Sequence, residues 1–93
     1  MKIIVYNNSR KKRFRTTKRI VSSLLPSVNP RLNIGRLPRR VIDKLICDLK
    51  KHSGRGCYIE IYIENNDGYH GFEIVNIGKK SPNLELFSIN SKF

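Results

Sequence analysis

The 93-residue chain carries 19 Lys and Arg against 7 Asp and Glu, a net charge of +12, with two Cys and no Trp. That length makes a single domain, 1–93, whose core needs nearly every element, and an apolar fraction of 39% is enough to fold one. Two cysteines in so basic a chain do not suggest a disulfide scaffold, and the opening apolar run, residues 3–6, is too short for a secretory or membrane segment, so a cytosolic protein without membrane attachment is expected.

Lys2-Ile3-Ile4-Val5-Tyr6 is β-branched and aromatic and stops at Asn7-Asn8-Ser9, which predicts a short strand with apolar side chains on both faces. Residues 10–19 follow, seven of them basic and none acidic. Like charges repel, so 9–16 is expected as a loop or arm, with a helix beginning at Thr16 or Thr17 as N-cap. Ile20, Val21, Leu24 and Leu25 give that helix a one-sided apolar stripe that Pro26 and Pro30 end, and 27–35 reads as a connection with turn residues Asn29, Asn33 and Gly35.

Pro38 then opens a second helix whose stripe is Val41, Ile42, Leu45, Ile46 and Leu49, with Gly54 as terminator. Arg39 and Arg40 in its first turn oppose the helix dipole, so they look placed for a partner. Residues 57–64 alternate, with Cys57, Ile59, Ile61 and Ile63 on one face and Tyr58, Glu60, Tyr62 and Glu64 on the other. Asp67-Gly68 suits a hairpin turn, and a return strand over 69–76 would set Ile63 across from Phe72 and Ile61 from Ile74. A last strand is expected over 84–89. The expected fold is α+β in the order β-α-α-β-β-β: two helices on one face of a four-stranded, mostly antiparallel sheet, with a basic N-terminal arm and a meander over 57–89.

The charge is segregated. Residues 1–42 hold twelve Lys and Arg and no Asp or Glu, while 43–93 hold seven of each. Folding gains nothing from this, and self-repulsion costs stability, so the N-terminal half reads as built to meet a polyanion, nucleic acid first among them. The expected contacts are Arg10, Lys11, Lys12, Arg13, Arg15, Lys18 and Arg19, extended by Arg31, Arg36, Arg39 and Arg40, with Phe14 stacking on an exposed base. RNA is preferred to DNA, because arginine-rich arms and sheets with exposed aromatics are common RNA-binding devices. Tyr58 and Tyr62 fall on the expected outer sheet face, where Glu60, Glu64 and Glu73 would repel phosphate, and ordinary cross-strand packing is the preferred account of both rings. Residues 9–19 equally fit a nuclear localisation signal in a nucleated host.

Other chemistry has little to stand on. Cys47, His52, Cys57 and His70 are the metal-ligand candidates, but their spacing matches no usual zinc pattern, and no motif calls for a cofactor or a small-molecule ligand. The expected order of one strand, two helices and a meander resembles that of the RelE/ParE toxins, small basic domains whose RelE-type members cleave mRNA on the ribosome. The likeness is topological, covers the whole chain and is carried by no specific motif; Cys57-Tyr58 and Gly68-Tyr69 are faintly similar to the family. His70 stands where those toxins tend to carry Arg, and 88–93, in the place of their catalytic segment, holds no His, Arg or Tyr. The resemblance would imply a ribonuclease using His52, Arg55, Tyr69 and His70. The expectation is nonetheless a non-enzymatic binder. A phage- or virus-type inhibitor or adaptor, its cations meeting an acidic host protein with or without RNA, is the other class the composition suggests.

Overall fold

The computed structural model describes residues 1–52, 54–65 and 71–78. Seven elements follow one another: β1 (Lys2–Asn7), α1 (Lys11–Ser22), β2 (Ser27–Asn29), β3 (Leu32–Arg36), α2 (Arg39–Lys51), β4 (Tyr58–Glu64) and β5 (Phe72–Gly78). All pairings are antiparallel, in the order β2-β3-β1-β4-β5. Up to β4 this is the split β-α-β topology, β-α-β-β-α-β, with β5 added beside β4. The α+β class is as expected, with two helices on one face of an antiparallel sheet. The helices are not consecutive, however, because a β-hairpin separates them. The element order behind the likeness to the RelE/ParE toxins is therefore not the observed one.

The missed hairpin has a physical reason. Asn33 and Gly35 are the residues of β3 that face the helices, so the strand has no apolar inward set to read. Asn33 is 1% exposed, and its side chain donates to the Leu25 carbonyl (2.9 Å) and to Ser22 Oγ (3.3 Å) and accepts from Lys18 Nζ (3.0 Å). A Cβ on Gly35 would lie 2.7 Å from Leu25 Cδ2, so the end of α1 closes on bare backbone there.

One cluster forms the core. Ile3 and Val5 of β1, Val21 and Leu25 from α1 and the turn after it, Ile42, Leu45 and Leu49 of α2, and Cys57, Ile59, Ile61, Ile63 and Ile77 are all buried. The predicted stripe of α2 and the alternation of β4 are the observed ones, and each fully buried Ile or Leu contributes about 1.5–3 kcal/mol. The register of β5 is offset by one residue from expectation: Ile63 faces Glu73, and Tyr62 faces Ile74. A one-residue slip exchanges the faces of a strand. Both faces of Phe72-Glu73-Ile74-Val75-Asn76-Ile77 offer two apolar residues of three, so the pattern alone does not choose. The chosen register buries Ile77, lets Glu73 reach Arg39 on α2, and leaves Phe72 and Ile74 exposed. Gly78 fits because it takes φ +91° where a Cβ would meet the Cys57 carbonyl oxygen. The expected Asp67-Gly68 turn, the strand over 84–89, and Tyr69 and His70 lie outside the described residues.

Candidate nucleic-acid interface

The basic run is not an arm. It is helix from Lys11, with Arg10 in the N-cap position. Thr16 and Thr17 sit inside the helix rather than at its start, and tertiary bonds, not a capping side chain, hold its beginning. The Asn7 side chain donates to Thr17 Oγ1 (2.8 Å) and accepts from the Ser9 amide (3.1 Å). The Thr17 hydroxyl donates back to the Arg13 carbonyl (2.6 Å), Ser9 Oγ accepts from the Tyr58 amide (2.9 Å), and the Arg10 amide donates to the Gly56 carbonyl (2.7 Å). Asn7, Ser9 and Thr17 are buried with each buried polar side-chain atom hydrogen-bonded at least once, a base for the charged turn above them.

Above that base lies an open cleft of about 830 Å³ at the end of the sheet where β1 finishes and β4 begins. Asn8, Ser9, Arg10, Lys11, Lys12 and Arg13 line one wall, Arg31 from the β2–β3 turn a second, and Arg55, Gly56 and Tyr58 the third. Six cations from three separate stretches thus face one space, and among the described residues no carboxylate lines it. Two of them are held in place. The Arg31 guanidinium sits 5.0 Å from the centre of the Phe14 ring, and its Nη1 donates to the Asn7 carbonyl (3.1 Å) and Asn8 Oδ1 (3.3 Å). Arg13 Nη1 donates to the His52 carbonyl (3.3 Å) at the end of α2, with its guanidinium packed over Gly54. Gly56, at φ +88°, brings its loop against the stem of Arg10.

The electrostatics of α1 run against helix rules. Its first turn holds Lys11, Lys12 and Arg13, no acidic residue, and an N-cap with no side-chain bond. The N-terminal end of a helix dipole is positive, so each such cation costs about 0.3–1 kcal/mol at low salt. An anion in the cleft would reverse that cost and would meet the helix's free amide groups as well.

Other expected contact residues fall elsewhere. Arg15 and Arg19 are exposed along the outer side of α1. Lys18 is occupied, its ammonium bonded to Ser27 Oγ (2.8 Å), the Asn29 carbonyl (3.3 Å) and Asn33, which ties the hairpin to the helix. Phe14 lies half-buried under Arg31. Arg36 pairs across from Lys2 at the far end of the sheet, and Arg40 is exposed in the first turn of α2. Arg39 there is bonded to Asp43 (3.1 Å) and Glu73 (2.8 Å), so its charge in the first turn of α2 is matched within the protein. Only Arg31 of the second expected group joins the cleft. The sequence did not single out Arg55 as a nucleic-acid contact; its one signal was a cation between two glycines, Gly54-Arg55-Gly56.

The sheet face away from the helices carries Tyr6, Tyr58 and Tyr62, Glu60 and Glu64, and exposed Phe72 and Ile74. Burial and a hydrogen bond to Glu60 push the Tyr62 hydroxyl up to about 12, so it stays protonated and donates to that carboxylate. Cys47 is exposed on α2 and Cys57 is buried, and among the described residues no three His, Cys, Asp or Glu stand close enough to hold a metal ion. Among those residues, too, no helix is long and apolar enough to cross a membrane. No family model and no curated protein matches the chain. Fold and cleft together define a small split β-α-β domain with one strongly cationic end.

Proposed function

We propose that this domain binds nucleic acid, RNA in preference to DNA, through phosphate contacts in the cleft. The observation that carries the reading is the convergence of Arg10, Lys11, Lys12, Arg13, Arg31 and Arg55 on one space that no carboxylate among the described residues lines, at a helix N-terminus that their charge destabilises. A fold keeps such repulsion where a ligand relieves it. Arginine supplies four of the six, which suits the bidentate geometry of phosphate. RNA is preferred because the cleft opens beside a tyrosine-bearing sheet, a surface that unpaired bases can reach.

The test is binding of labelled single-stranded RNA, double-stranded RNA and duplex DNA across a salt series, after removal of co-purified nucleic acid. Six phosphate contacts predict a log–log salt slope of about −4 for a single strand and about −5 for duplex. A slope near zero would overturn the reading. A second reading, an adaptor that docks on a host protein, is favoured by Phe72 and Ile74, 46% and 58% exposed on the open sheet face. Its signature is a stoichiometric protein complex that survives nuclease treatment.

A further inference from the structure

From the geometry we infer that Tyr58 and Tyr6 form a stacking platform for the bases of an unpaired strand whose phosphates lie in the cleft. The inference rests on the nucleic-acid reading above and specifies it: a single strand, held by ring faces as well as charge. Tyr58 itself lines the cleft, where β4 begins. Tyr6 lies on the same open face, paired with Glu60 on β4 and with Leu32 on β3, the residue after Arg31. Tyr58 is two residues from Glu60, so the two rings are diagonal neighbours, with about 7–8 Å between such positions on adjacent strands. That is a span adjacent nucleotides of an extended strand can bridge, each base on its own ring.

Charge fixes which way such a strand would lie. The cations stand in the cleft, whereas Glu60 and Glu64 stand on the sheet, so phosphates are drawn to the first and kept off the second. The bases then turn towards the sheet. Tyr6 is 38% exposed, so part of its ring is open to solvent on that face. Opposite Tyr58 on β5 stands Gly78, which places no side chain beside that ring. A duplex cannot use this surface without unpairing, because its bases stack on one another.

The experiment compares three labelled probes of equal length: a uridine oligomer, an abasic oligomer with the same phosphates, and duplex DNA. The expected result is that Tyr58→Ala and Tyr6→Ala each lower affinity for the uridine oligomer about tenfold, a loss several times larger than either causes on the abasic and duplex probes. Tyr58→Phe should retain affinity and Tyr58→Leu lose it, whereas a ring needed only for packing would tolerate Leu better than Ala in every assay. Tyrosine emission, readable because the chain has no Trp, should be quenched by the uridine oligomer alone. If base-bearing and abasic probes bind alike with a steep salt slope and the tyrosine variants change nothing, the platform is refuted while the phosphate reading stands. The open face would then be left to a protein partner. If no probe shows salt-dependent binding, both readings fall.

Discussion

Reversing one charge at the start of α1 should stabilise the free protein and weaken its binding. Lys12 is exposed in the first turn, with no side-chain partner among the described residues. Removing a cation there and adding a carboxylate each gain about 0.3–1 kcal/mol from the helix dipole. A carboxylate at that position also finds Arg15 one turn on, for a further 0.2–0.5 kcal/mol, roughly. The sum is about 1 kcal/mol or somewhat more, which in a domain this size raises Tm by about 4–8 °C. Lys12→Glu should show this by differential scanning calorimetry at low salt, and the gain should shrink at 1 M salt, where the screening length falls to about 3 Å. The same variant should bind single-stranded RNA about tenfold more weakly, with a salt slope flatter by about 0.7. Saturating RNA should then cancel or reverse the difference between the two melting temperatures, because a tenfold tighter binder gains about 1.4 kcal/mol more from the same ligand. A variant that melts lower than the parent in free form, or binds equally well, would refute the argument that this turn is kept unstable for an anion.

Three further outcomes test the fold that positions the cleft. Gly78→Ala should cost at least about 2 kcal/mol in urea denaturation, since a Cβ there would stand 1.6 Å from the Cys57 carbonyl oxygen at a φ that only glycine takes freely. Asn33→Ala should cost about 1–3 kcal/mol, by leaving the Leu25 carbonyl without its donor and Lys18 without one of its acceptors; an unchanged urea midpoint would contradict the role given to Asn33. The Arg39 guanidinium, by its hydrogen bond and its charge, holds the Glu73 carboxyl below its usual value of 4.5. A carboxyl with a lowered folded pKa stabilises above the unfolded value and loses that contribution as pH falls through the folded one. Stability should therefore decline below about pH 4.5 with a component that Glu73→Gln removes. Both side chains are about half exposed, so the component should be small and should fade in high salt. Identical acid profiles for parent and variant would contradict the Arg39–Glu73 contact.

The sequence by itself determined the elements whose inward residues are apolar and regularly spaced. The stripe of α2 and the alternation of β4 follow from such spacing, and so does the place of β1 among the other strands. The segregation of charge was equally plain, because composition needs no geometry. Tertiary structure decided the rest. β3 turns Asn33 and Gly35 inward, so its burial depends on hydrogen bonds and close approach that no hydropathy pattern records. The register of β5 depended on which of two equally apolar faces met the core. The basic run became a helix because buried Asn7, Ser9 and Thr17 hold its first turn against its own repulsion. Those same contacts decided which cations share a space: Arg31 and Arg55, far apart in sequence, join Arg10–Arg13, while Lys18 and Arg39 are drawn into the protein's own bonds. Charge can be counted along a chain, but a binding site is charge gathered at one place, and only the folded backbone sets that place.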